Sequence, residues 1–142
     1  MNEMRDIELA RRLLTGKELS LVIAKQGQII YSSKEKGVRP LFEAVLSLKG
    51  SLEKASLADR VVGSPVAMLC LHAGISSVYA LVASEPALTM LRNGGADASA
   101  LETVPSILNP DGTDLCPFEK LAQSCRQPSE LFSALEGLFQ SS

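Results

Sequence analysis

The stretch Ser77-Val78-Tyr79-Ala80-Leu81-Val82-Ala83 is apolar at every position after its first residue. A strand with one wet face alternates polar and apolar side chains, so this one is covered on both faces, as in a parallel α/β sheet. It runs straight into a helix, Glu85 to Arg92, which Asn93-Gly94-Gly95 ends with two glycines suited to a left-handed cap. The rest of the chain must therefore supply helices for both sides of a sheet. At 142 residues, 46% of them hydrophobic, it can bury such a core without disulfides or metal. A single domain over residues 1–142 is expected, with helices at 1–16 and 128–142 as appendages.

Ile7, Ala10, Leu13 and Leu14 recur at helical spacing before Gly16 and predict a first amphipathic helix. Leu19 to Ala24 reads as a strand that Gln26-Gly27-Gln28 turns into a second, Gln28 to Ser33. Gly37 ends this hairpin, and Pro40 sits in the first turn of a helix whose Leu41, Ala44, Val45 and Leu48 share one face, closed by Gly50-Ser51. Leu57 to Ala73 has few polar residues after Arg60 and stops at Gly74, so it reads as a buried helix. Asp59 or Ser64 caps it, and Pro65 at the first helical position favours Ser64. A weak strand is expected around Ala98 to Val104. Beyond the turn Asn109-Pro110-Asp111-Gly112, Pro117 and Pro128 each open a helix, the last with Leu131, Leu135 and Leu138 on one face. This order predicts an α/β fold, a three-layer α/β/α sandwich around a mixed sheet.

The formal net charge is -2, with lysines and arginines scattered, so no basic stripe offers itself to a nucleic acid. No run approaches the roughly 18 apolar residues of a membrane span, and the polar start Met1 to Asp6 is unlike a secretory signal. Cys70, Cys116 and Cys125 are odd in number and irregular in spacing, which fits reduced thiols. A cytoplasmic protein is expected.

The strand–helix junction at Ser84-Glu85-Pro86-Ala87 resembles the zinc half-site of nucleoside deaminases, where Glu-Pro-Cys-x-x-Cys supplies two ligands. Here Ala87 and Met90 stand at the cysteine positions, and neither is an anionic zinc ligand. The other half-site needs His-x-Glu or Cys-x-Glu at a helix start. The single histidine, His72, falls at a helix end, and Cys70 two residues away points off its face. Cys70 is expected in the core, and His72 where an imidazolium favours the helix dipole. Neither metal nor cofactor is expected. Together with Gly37-Val38-Arg39-Pro40-Leu41, Ala58-Asp59-Arg60-Val61-Val62-Gly63 and Asn109-Pro110-Asp111-Gly112-Thr113-Asp114-Leu115-Cys116-Pro117-Phe118-Glu119, the junction resembles a prokaryotic family of unknown function, the DUF1893 type, over roughly Leu19 to Leu121. The resemblance implies a cytidine-deaminase-like fold without the zinc motif. It brings no established activity.

On that scaffold the helix starts at Gly63-Ser64 and Ser84-Glu85 converge, and their free amides suit a phosphate or carboxylate, with Gly63 allowing close approach. The Glu85 carboxylate would repel an anion, so the Gly63 side is favoured. The plainer reading makes Ser64 and Ser84 caps worth about 1 kcal/mol each. The turn Asp111-Gly112 delivers Cys116 to another helix start, where thiols become more acidic, but Asp111, Asp114 and Glu119 oppose the thiolate and no histidine serves as its base. Lys36 and Arg39 flank the hairpin end, and Asp59, beside Arg60, could accept from a ribose hydroxyl or a base amine. The leading expectation is a protein that binds a small nucleotide-like or anionic metabolite and acts as a regulatory module. A metal-free transferase or hydrolase using Asp59, Cys116 or Glu119 competes with it, as does a non-catalytic interaction protein. The apolar set Leu131, Phe132, Leu135, Leu138 and Phe139 predicts a homo-oligomer, or else folds back on its own sheet.

Overall fold

A computed structural model describes residues 5–140. The first four residues of the polar start, and Ser141-Ser142 at the end of the expected C-terminal helix, lie outside the described residues. Five strands, β1 (Leu21–Lys25), β2 (Gln28–Ser33), β3 (Ser56–Val62), β4 (Ser77–Ser84) and β5 (Asp97–Val104), form one sheet in the order β2-β1-β3-β4-β5. β1 is antiparallel to β2 and to β3, whereas β3, β4 and β5 run parallel. Among the described residues six helices surround it: α1 (Asp6–Gly16), α2 (Arg39–Leu48), α3 (Ser64–Ala73), α4 (Glu85–Asn93), α5 (Pro117–Gln123) and α6 (Pro128–Gln140), with a 3₁₀ turn at Lys49–Leu52.

One expectation is corrected. Leu57 to Ala73 is a strand followed by a helix, β3 then α3, and not one buried helix. A strand with both faces covered and a buried helix are equally apolar, so composition does not separate them. The chain turns between them at Gly63, and Pro65 falls in the first turn of α3. Gly74, at φ 81°, ends the helix in the left-handed conformation.

The layers follow from alternation along the strands. Leu21 and Ile23 of β1 face a core built with α2, α3, α4 and α6, while Val22 and Ala24 face Ala10 and Leu14 of α1. The hairpin turns through Gln26 and Gly27, both at positive φ, as a two-residue connection of this twist requires. Asp6 of α1 accepts both turn amides at 2.9 and 2.8 Å, pinning the helix to the hairpin. On the other side α6 folds back on its own chain: Leu131 and Leu135 are fully buried, Phe132 and Phe139 pack on the same core, and Leu138 remains 59% exposed. Most of the apolar face expected to drive self-association is thus used within the chain. No helix among the described residues is long and apolar enough to cross a membrane.

Candidate ligand cavity

A cavity of about 310 Å³ opens beside the carboxyl end of β3, where open α/β sheets present ligand sites. Four stretches of chain wall it. Ser20 precedes β1; Lys36, Gly37 and Val38 follow β2; Asp59, Arg60, Val61 and Gly63 end β3, with Pro65 and Val66 opening α3. Ile107, Cys116, Phe118 and Glu119 close it from the segment around α5. That segment is held by a bridge between Leu108 and Leu115 and by the Cys116 N–H, which donates to Ile107 O at 3.1 Å.

Asp59 is only 7% exposed, on the strand face that packs toward α3. The Val61 N–H donates to its Oδ1 at 3.3 Å. Burial pushes this carboxyl up to about 8, against the opposing pull of the Val61 and Arg60 amides and the Arg60 charge. Its neighbour in the core, Cys70, has a thiol raised by burial first and by the Asp59 charge second. Arg60 points its Nε at Leu19 O, 2.7 Å away, and Ser20 donates its hydroxyl to Lys34 O at 3.0 Å, so the mouth is tied to the hairpin.

Glu119 makes the second polar feature. Both its oxygens accept the Ser64 N–H, each at 3.1 Å, at the start of α3. Burial raises this carboxyl and the Ser64 contact opposes the rise. Gly63 makes room for it: a Cβ there would stand 2.0 Å from Glu119 Oε1 and 3.0 Å from Ile107 Cγ1. The backbone donor that sequence reasoning offers to a ligand anion is therefore taken by the chain's own carboxylate.

Lys36, Asp59, Gly63, Cys116 and Glu119 are thus brought to one cavity. The remaining expected residues lie elsewhere. Arg39 pairs with Glu43 at 3.3 Å and lies over the Phe139 ring. Ser64 gives its amide to Glu119, and the buried Ser84 hydroxyl accepts the Ala87 N–H at 3.2 Å as the cap of α4. Glu85 is exposed at that helix start, which does not border the cavity. Asp111 and Gly112 form an exposed turn, where Asn109 Oδ1 accepts the Thr113 N–H. Sequence reasoning missed Ser20, Val38, Ile107 and Phe118, which carry no local signal beyond being apolar or small. It also missed the tie between Glu119 and Ser64, whose one sequence trace is a glycine just before a helix start.

The start of α4 does not fit a zinc site. Ala87 offers a buried methyl and Met90 a thioether, and no group of three or more His, Cys, Asp or Glu side chains among the described residues is placed to hold a metal ion.

Fold and cavity define a three-layer α/β protein with a mixed five-stranded sheet. Its sequence matches the family described as "Domain of unknown function (DUF1893)" over residues 9–139, and the chain belongs to that family. A DUF1893 family protein from Thermotoga maritima, known from its crystal structure, is 30% identical and superimposes with a TM-score of 0.86, over 98% of this chain and 93% of that one. More distant is the dCMP deaminase of cyanophage S-TIM5, at 14% identity and a TM-score of 0.46 over 70% of this chain and 94% of that chain. A diaminohydroxyphosphoribosylaminopyrimidine deaminase/5-amino-6-(5-phosphoribosylamino)uracil reductase of Thermotoga maritima gives 20% and 0.48, over 82% of this chain and 38% of that one. No curated protein matches the sequence.

Proposed function

We propose that this chain binds a small nucleotide-like metabolite in the cavity beside β3, as a regulatory module of the cytoplasm. A base-like head donates hydrogen bonds to Asp59 and Glu119, and an anionic end meets Lys36 and Arg60. One observation carries this reading: Asp59, a carboxyl less than a tenth exposed, lines the cavity and is held there by amides of its own strand end alone, with no side-chain partner among the described residues. A ligand donor that reaches this carboxyl forms its hydrogen bond in a largely desolvated site, where it is worth more than in water. The volume lies at the lower end of the roughly 300–1,000 Å³ of ligand pockets, which suits a nucleoside-sized molecule. All three cysteines are free thiols, as expected in a reducing compartment. Calorimetry against nucleobases, nucleosides and nucleotides tests the reading. Binding is expected, weakened about tenfold or more by Asp59→Asn, and nothing bound more tightly than about 1 mM would overturn it.

A second reading has support of its own, because Asp59, Cys116 and Glu119 line the same wall space. A carboxyl held near 8 is protonated at neutral pH and suits a general acid, so the cavity is also compatible with a metal-free transferase or hydrolase. Turnover of a bound nucleotide, lost in Asp59→Asn and Cys116→Ala while binding persists, would favour catalysis over regulation.

A further inference from the structure

We infer that Glu119 sets the ligand specificity of this cavity: its carboxylate stands where a ligand anion would otherwise sit on α3, so that end takes a hydrogen-bond donor and refuses a phosphate. The inference rests on the nucleotide-like reading above and fixes which way round such a ligand enters.

The start of α3 is built to receive one anion. Its ten residues open with Gly63 as the cap, and Pro65 removes one of the amides that a helix start usually leaves free. Of the amides that remain in the first turn, the Ser64 N–H is the one that receives both oxygens of Glu119. The approach is possible only because Gly63 has no side chain, a Cβ there lying 2.0 Å from Oε1. Chain elements 55 residues apart are thereby joined through a single negative charge. Asp59, less than a tenth exposed, adds a second acceptor to the same cavity. A phosphate placed here would meet the Glu119 carboxylate on an amide it already holds. An exocyclic amine or amidine edge would meet two acceptors. The cations of the cavity, Lys36 and Arg60, come from other stretches of its wall, and Lys36 is exposed to solvent, so a phosphate is directed outward.

Removing the internal carboxylate should turn the amide into an anion site, and inorganic phosphate reports this without the natural ligand. The Ser64 amide is followed by nuclear magnetic resonance while phosphate is added to the wild-type chain, Glu119→Ala and Glu119→Gln. In the wild type no saturable shift is expected below about 10 mM phosphate. In Glu119→Ala the shift should saturate at a concentration about tenfold lower, the range a helix start contributes to anion binding. Glu119→Gln keeps the shape and should show a smaller gain, which preserves the test if the alanine variant unfolds. Equal phosphate response in all three chains would overturn the role of Glu119, as would saturable binding by the wild type. A gain of phosphate binding together with failure of every nucleoside and nucleotide to bind the wild type would sustain the role of Glu119 and reject the nucleotide-like ligand.

Discussion

Gly63 and Glu119 fit as knob and socket: the carboxylate occupies the space in which a Gly63 side chain would begin, 2.0 Å from an ideal Cβ. The backbone at Gly63 is extended, at φ -103°, so alanine strains no dihedral there, and the clash falls mainly on the far end of the Glu119 side chain, with Ile107 Cγ1 also close at 3.0 Å. Gly63→Ala should therefore displace the carboxylate from the Ser64 amide and leave it buried without its donor. A loss of about 1–2 kcal/mol in urea denaturation is expected. In a Glu119→Ala background the same change should cost less, with a coupling of about 1 kcal/mol. Equal costs in both backgrounds would show that the two residues are not energetically joined.

Asp59 makes stability depend on pH in an unusual direction. Its folded value is about 8, above the ordinary carboxyl range near 4, so between these limits the folded chain holds a proton that the unfolded chain has released. Stability should fall as pH rises through that window, by up to about 1.4 kcal/mol per pH unit, and level off above it. Glu119 is also raised and contributes a fall of the same sign. Asp114, depressed by Lys120, acts in the opposite sense only below the ordinary carboxyl value, outside this window. Urea midpoints at about pH 5 and about pH 8 should differ clearly in the wild type and much less in Asp59→Asn. A wild type with the same midpoint at both would show that Asp59 ionises freely in the folded state.

The three thiols should react in a fixed order. Cys70 is fully buried and its thiol is raised by that burial and by the Asp59 charge, whereas Cys116 and Cys125 are partly exposed. Thiolates react and thiols do not, so a maleimide should label Cys116 and Cys125 in the native chain and Cys70 only after unfolding. Peptide mapping by mass spectrometry separates the sites. Because Cys116 lines the cavity, a bound ligand should slow its labelling and leave Cys125 unchanged. Labelling of Cys70 at native rates comparable to Cys125 would contradict the packing described.

How much of this was legible varied with the range of the interaction. The apolar β4 and the turn at Gln26-Gly27 declare themselves locally, through an unbroken apolar run in one case and a two-residue turn needing positive φ in the other. The cap at Ser84 does so as well, with Pro86 in the first turn of its helix. β3 stayed hidden because Leu57-Ala58-Asp59 carries a carboxylate in mid-strand, which fits a helix start in sequence and a cavity wall in the fold. The gathering of Lys36, Asp59, Cys116 and Glu119 depends on where the α5 segment returns. No local preference encodes that return, and Glu119 reads in sequence as one more acid after a turn.

All four phenylalanines of the chain lie in one connected cluster, which reaches from the core to the cavity wall. Phe42 of α2 is fully buried, with ring centroids 5.4 Å from Phe132 and 5.2 Å from Phe139 of α6. Phe139 in turn lies 5.8 Å from Phe118, which lines the cavity beside Cys116. Phe42→Ala should cost about 3–5 kcal/mol, the range for emptying a buried aromatic site, readable as a drop in the urea midpoint. Phe42→Leu should cost less and keep the fold for a second measurement. If the cluster positions the wall as well as filling the core, loosening Phe139 should free Phe118 and speed maleimide labelling of Cys116 in Phe42→Leu. Cys125 serves as the internal reference. A lower midpoint with an unchanged ratio of Cys116 to Cys125 labelling would confine Phe42 to core packing and leave the wall to the hydrogen bonds of the α5 segment.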